Sequence, residues 1–448
     1  MQNATTTQTT KRSLGDWLRS IGPAVVVAAV VLGPGTITIA SRVGVRHGYT
    51  IGWLVLTTSA LMAMMTVAAL YAGVSHPRTP GRRLRQRFGY WPTVAIGVVL
   101  FLIVALFQSG NNRALLLAAE YFAPTLKDSP WTSVGFLVAF NLGIVVFFLA
   151  ARDVYRIIEA AMLSMVGLMI ACFLVNAFAG GVRPGAAVSG LVPTGSSIRA
   201  VSEQLTGDIR ALMATTFSVA GAFYQCYLVR ERRWTVGELR FRSVDSCVGI
   251  ATLGVLTMLI MWTAAAALHG KIAPEMVTGI DTLADSLRPT FGRVATGVFA
   301  TGILAGAVSS FVGNALIGGT VFSDCLGLGS RASHVGPRRL TVLALVFGAA
   351  IASWSVFAIE SNVNFIVIAQ GLTALGLPVM ALALLWLLID GGRAPKWLVA
   401  GTIVGVLVTF ALAAATVQKL TAPKPAPEAP VEEVSTVVDE AMSPEPQP

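Results

Sequence analysis

The chain has 448 residues, of which 55% are hydrophobic and only 12% charged, with a mean hydropathy of +0.73. A water-soluble domain carries about 25% charged residues, so this composition excludes an ordinary soluble protein and describes a chain that crosses a bilayer many times. The net charge of +10 is spread over short basic segments with no aromatic-interleaved basic face, which excludes a nucleic-acid partner and leaves the lipid bilayer as the surroundings.

Residues 1–20 are polar and Thr-rich, with no apolar core ahead of a cleavage site, and read as a cytoplasmic N-terminal tail instead of a removable signal peptide. Roughly 20 apolar residues cross the hydrocarbon core. Eleven stretches meet that length, near 21–43, 51–75, 94–119, 131–150, 157–178, 211–229, 244–268, 294–321, 339–359, 363–389 and 397–416. Residues 21–416 thus form one all-α transmembrane domain. Placing the N-terminus inside puts the larger share of the 32 Lys and Arg residues in inside segments, so the positive-inside rule predicts N-in and, after eleven spans, C-out. Residues 417–448, rich in Pro, Glu, Ala and Val without any period, read as a disordered acidic tail.

Span 1 carries Leu32-Gly33-Pro34-Gly35-Thr36 at its centre. Pro34 has no N–H and the flanking glycines weaken the helix, so regular hydrogen bonding fails where the bilayer is deepest. Free backbone groups at that depth are tolerated only beside a cavity or buried in protein, which makes Gly33, Pro34, Gly35 and Thr36 substrate-binding candidates. In span 3, Gln108, Asn111 and Asn112 stand at i, i+3 and i+4 on one face. Interhelical hydrogen bonding and substrate contact both account for that stripe. Arg113, an ionisable residue within the same span, reads as a gating or anion contact, as a side chain that snorkels, or as one paired with a buried carbonyl.

If spans 1–5 and 6–10 are inverted repeats, span 6 is the partner of span 1 and is interrupted too. Its centre, Val219-Ala220-Gly221-Ala222-Phe223-Tyr224-Gln225, offers Gly221 as the break and Ala222, Tyr224 and Gln225 as site groups. Span 8 shows Gly302, Gly306, Ser310, Asn314 and Gly318 at four-residue intervals, a packing ridge from which the amide of Asn314 stands out as a further contact. Gln370, with Thr373, is the candidate from span 10. Cys172, Cys226, Cys247 and Cys325 show no pairing pattern, and His47, His76, His269 and His334 lie at span ends or loops. No nucleotide-binding, H-E-x-x-H or G-x-S-x-G motif occurs, so the chain reads as a non-enzyme without cofactor.

The run from Gly22-Pro23 through Leu32-Gly33-Pro34-Gly35-Thr36 to Gly48-Tyr49 resembles the opening of the NRAMP family of divalent-metal transporters, and so do the small, Ser-rich span 8 and Ala369-Gln370 with Leu377-Pro378 in span 10. The resemblance implies a LeuT-type 5+5 inverted repeat plus an eleventh helix, working as a secondary transporter by alternating access in the bacterial cytoplasmic membrane. The departures fall on the ligands. The family's Asp-Pro-Gly-Asn is here Gly33-Pro34-Gly35-Thr36, its Met-Pro-His is matched by Ala222, Phe223 and Tyr224, and its acidic pair on helix 3 is replaced by Gln108, Asn111, Asn112 and Arg113. Without carboxylate or thioether, a bare transition metal is poorly held, whereas hydrated Mg²⁺ keeps waters that neutral oxygens can hold. No metal ligand set is assigned. A small anion or neutral solute is the alternative cargo, favoured by the N–H groups near Thr36, and a transport-inactive sensor or scaffold is a third reading.

Overall fold

The computed structural model describes residues 33–150, 171, 173–178, 181–203 and 205–421. The N-terminal tail, the first half of span 1, most of span 5 and the tail beyond residue 421 lie outside the described residues. Within them every regular element is helical, and nine helices are long and apolar enough to cross a membrane.

Helix α1, Pro34–His47, begins where the sequence breaks: Gly33 is extended and Pro34 takes the first helical position, where its missing N–H costs nothing. It ends at Gly48, whose φ of 58° suits glycine. Next come α2, Gly52–Val74; the short α3, Pro80–Phe88, capped by Thr79; α4, Tyr90–Phe122; and α5, Pro130–Ala150. Span 6 is two helices, α6, Gly207–Thr216, and α7, Val219–Glu231. They are followed by α8, Leu239–Leu268, α9, Ala295–Leu326, and α10, Val335–Ala358. Span 10 divides into α11, Asn362–Leu372, and α12, Leu377–Gly391, across a 3₁₀ turn at Thr373–Gly376. Pro378 explains that turn, because its ring removes the bond to the carbonyl four residues earlier and crowds it. Helix α13, Lys396–Thr421, runs five residues into the segment expected to be tail.

The core is a bundle in which α4 packs on α9, α10 and α11, while α2 packs on α7 and α8 and α1 lies along α8. Close approaches are made at glycines: a Cβ at Gly44 would fall 2.1 Å from the Met261 carbonyl oxygen, and one at Gly319 would fall 2.2 Å from Thr341 Oγ1. Leu102, Leu142, Trp354, Leu407 and Phe410 point outward and are exposed. In water they would make an apolar surface far beyond that of a soluble monomer; here they are the lipid-facing side of an integral membrane protein.

The end of the bundle that holds α3 is knotted by a buried carboxylate. Asp324, 6% exposed, accepts from Tyr227 OH (2.9 Å), Thr79 Oγ1 (2.7 Å) and the Gly81 N–H (2.7 Å), joining α9, α7 and α3. Arg83, 4% exposed, is bound by Asp390 and the carbonyls of Ala72 and Leu387, which fixes α3 to α2 and α12. A hydrogen bond to a charged group contributes about 1.5–3 kcal/mol. Tyr227→Phe should therefore lower stability by about 2 kcal/mol, read as a drop in melting temperature in detergent; an unchanged melting temperature would show the knot to be inert.

Candidate functional site

Around the break in span 1 the side chains are oriented by a relay that starts from a backbone oxygen. The Phe311 carbonyl can only accept, so the Gln108 amide nitrogen faces it (2.8 Å). The Gln108 oxygen then accepts from Asn111 Nδ2 (3.1 Å), and what Asn111 has left to present is its oxygen. A Cβ on Gly33 would lie 3.2 Å from that Oδ1 and 3.2 Å from Ser310 Oγ. Gly33 is thus the point where α1, α4 and α9 meet. Two residues along, the Gln370 amide nitrogen would crowd a Cβ on Gly35 (2.6 Å) or Gly110 (2.9 Å), so two glycines make the slot for this side chain. Gln370 is 1% exposed and its Oε1 has no hydrogen-bond partner.

Asn112, by contrast, is a structural tie. It donates to the Gln108 carbonyl (2.9 Å) and accepts from Asn141 on α5 (2.6 Å), whose own nitrogen also bonds the Leu137 carbonyl. Thr36 and Pro34 are buried in the first turn of α1, where the Thr36 N–H bonds the Gly33 carbonyl (3.0 Å). Gly306 lies against Pro34, whereas Asn314 is half-buried further along α9.

Span 6 is broken, but at Phe217–Ser218 and not at Gly221. Phe217 is fully buried, and Thr215 turns its hydroxyl back onto the Leu212 carbonyl (3.0 Å), so tertiary packing and a β-branched pair end α6 where no Gly or Pro marks the place. Gly221, Ala222, Tyr224 and Gln225 all belong to α7, beyond the break. Gln225 lies two turns on, about 10 Å along the axis, with its nitrogen 3.5 Å from Ser246 Oγ on α8 and its Oε1 unpartnered. Tyr224 stacks on Tyr227. The residue that borders the break itself is Thr216, whose buried hydroxyl has no partner.

Arg113 is 1% exposed and points away from the Gly33 break. Its Nη2 donates to the Ile359 carbonyl (2.5 Å) and the Glu360 carbonyl (3.4 Å), just past the C-terminus of α10, and its guanidinium lies 5.5 Å from the Phe365 ring. A cation is stabilised at the negative end of a helix dipole. Arg113 lines an open cavity of about 800 Å³ that also takes in Glu120, Asp281, Glu360 and Asn362, and none of the residues Gly33–Thr36 lines that cavity. Among the described residues no three His, Cys, Asp or Glu side chains gather into a metal-holding group.

The described residues thus hold nine helices able to cross a membrane, a span 6 made of two helices, and neutral oxygens gathered at Gly33. The family model of natural resistance-associated macrophage protein-like chains matches residues 24–420. The chain belongs to that family. Its NRAMP-like body is 26% identical over 379 residues, 82% of this chain and 80% of the relative, to the divalent metal cation transporter MntH of Verminephrobacter eiseniae. Its fold matches that of a manganese transporter of Eremococcus coleocola with a TM-score of 0.71 at 16% identity, over 93% of this chain and 91% of that one. MhsT, solved in complex with L-phenylalanine, matches at a TM-score of 0.55 and 15% identity over 88% and 98% of the two chains. The architecture is therefore the LeuT-type one, and the NRAMP-like chain is a secondary transporter of the membrane and not an enzyme.

Three residues outside the sequence-predicted site set help to shape the NRAMP-like core. Ser310 and Gly110 frame Gly33 and Gln370. Asp208, 3% exposed, ties α6 to α1 through Arg42 and Arg46, each 3.1 Å away. The four-residue ridge of span 8 contained the signal for Ser310. Asp208 gave one too, as a carboxylate within a few residues of a span end.

Proposed function

We propose that this NRAMP-like chain carries a hydrated divalent cation such as Mg²⁺ across the membrane by alternating access, with the cargo held between the breaks of spans 1 and 6. The observation that carries the reading is the relay from the Phe311 carbonyl through Gln108, which makes Asn111 present oxygen at Gly33. Gln370 Oε1, beside Gly35, and Thr216 Oγ1, at the break of span 6, are buried without partners. A buried polar group left unpaired costs about 1–3 kcal/mol, a cost that a cation's water shell would remove. Neutral oxygens suit an ion that dehydrates reluctantly and keeps several waters. They are poor hosts for a bare transition metal, which prefers imidazole, thiolate or thioether ligands. The N-in, C-out topology and the bacterial cytoplasmic membrane belong to the same reading, on the charge distribution and on the bacterial source of the relatives.

Uptake of Mg²⁺ and Mn²⁺ into proteoliposomes tests it, with an NRAMP transporter that has the full ligand set as positive control. Saturable Mg²⁺ uptake is expected, weakly inhibited by Mn²⁺. Gln370→Leu, which keeps the volume and removes the oxygen, should reduce it at least tenfold. Absence of Mg²⁺ flux while the control transports, or full activity in Gln370→Leu, would sink the proposal.

A further inference from the structure

The cavity between α4, α5, α10 and α11 is separate from the Gly33 break and holds its own set of oxygens. Its lining contains three carboxylates, Glu120, Asp281 and Glu360, against two cations, Arg113 and Lys127. They are arranged by depth. Asp281 and Glu360 are exposed at the rim, Glu120 is half-buried below them, and Arg113 is fully buried at the floor. Arg113 donates through Nη2 to the Ile359 and Glu360 carbonyls, its Nε has no partner, and its charge, with that of Lys127, faces Glu120. Lys127 is exposed, where solvent screens it.

An acidic lining alone is common on protein surfaces; Asn362 is the feature that calls for a ligand. It is 7% exposed and its nitrogen donates to Glu120 Oε1 (2.9 Å). The carboxylate thereby fixes the amide so that Oδ1 is turned away from it, and this oxygen has no partner. A half-buried carboxylate and a buried, unpaired amide oxygen, held together at the wall of an open cavity of about 800 Å³, form an acceptor-only pair. Such a pair is completed by the donors of a cation's water shell. Chloride or phosphate would meet oxygen at this pair, and finds donors only elsewhere in the cavity, at Arg113 and Lys127.

We infer that this cavity is a loading site for a hydrated divalent cation, held by Glu120 and Asn362 Oδ1 and drawn in by Asp281 and Glu360. The inference rests on the cation reading of the cargo but concerns a site distinct from the helix breaks, and it can stand or fall separately. The rim carboxylates raise the local cation concentration, since a cleft lined by one sign of charge focuses the field.

The test is a titration of Mn²⁺, which like Mg²⁺ favours octahedral oxygen coordination, into the purified full-length chain, with free ion read by its EPR signal. Glu120→Gln keeps a group that can bond Asn362 and removes the charge; Asp281→Asn with Glu360→Gln alters only exposed side chains and serves as the second variant. Binding that weakens at least tenfold in Glu120→Gln and severalfold in the rim double variant, yet survives in Gln370→Leu, supports the site. That holds even if the chain shows a single bound ion and no transport, a result that would sink the cargo reading alone. Binding equal to wild type in both Glu120→Gln and the rim variant, or no Mn²⁺ binding at all, overturns the inference.

Discussion

Gly348→Ala is expected to abolish transport and to lower stability by about 1–3 kcal/mol, although it adds a single methyl group. A Cβ at position 348 on α10 would stand 2.3 Å from the Cβ of Gln108 and 3.2–3.3 Å from its backbone carbon atoms on α4. No rotamer of Gln108 relieves this contact, because Cβ is fixed by the backbone. The two helices must move apart. Gln108 is also the first side chain of the relay that sets Asn111, so the shift is passed to the oxygen presented at Gly33. Melting temperature and initial uptake rate should fall together. Gly302→Ala, on α9 where a Cβ would meet nothing within 4 Å, is the matched control and should be neutral or slightly stabilising. A Gly348→Ala protein with wild-type melting and uptake would disprove the coupling.

Asp208→Asn is the second change with a large expected effect. Asp208 stands in the first turn of α6 and receives Arg42 and Arg46 from α1. Arg42 also bonds Asn364 on α11 (2.5 Å), and Arg46 bonds Glu275 (2.7 Å). Taking one partner from a buried ion pair costs about 3–5 kcal/mol, because the remaining charge stays behind without compensation. Arg46 is 26% exposed and can be rehydrated, so the lower end, about 3 kcal/mol, is expected. The carboxylate is also lost from a helix N-terminus, where a negative charge is favoured. The signature is a large fall in melting temperature that 0.5 M salt does not reproduce in the wild type, since a buried cluster is little screened. If high salt alone destabilises the wild type as much as Asp208→Asn does, the cluster behaves as a surface one.

The spans among the described residues, their order and the helix start at Gly33–Pro34 were legible in the sequence because their causes are local: apolar length, and a proline that cannot donate. The break in span 6 was not. It is made by the burial of Phe217 and by the back-bonding of Thr215, both of which depend on neighbours. Moving the break from Gly221 to Phe217–Ser218 also changes which side chains border it, which is why Gln225 meets Ser246 and Thr216 is the group left unpaired. The polar stripe of span 3 was visible as a face, yet its division of labour was not. Asn111 turns to the Gly33 break and Asn112 to Asn141 only because the Phe311 carbonyl and α5 stand where they do. For Arg113 the pairing with a buried carbonyl, one of three readings open in the sequence, is the contact observed.

The length of α4 places the mouth of the acidic cavity at a definite depth. Its 33 residues extend about 50 Å at 1.5 Å per residue, far more than the roughly 30 Å of hydrocarbon but close to the 40–45 Å of a whole leaflet pair with its polar zones. Exposed aromatic rings at both ends, Tyr90 and Trp91 at one and Tyr121 and Phe122 at the other, are the kind that settle at the two lipid–water boundaries. Glu120, two residues before that second end, therefore stands among the phosphates and ester groups of the lipids. The cations it meets are those already concentrated or depleted by the surface potential of that leaflet, so lipid composition is in effect a second determinant of the apparent affinity of the carrier.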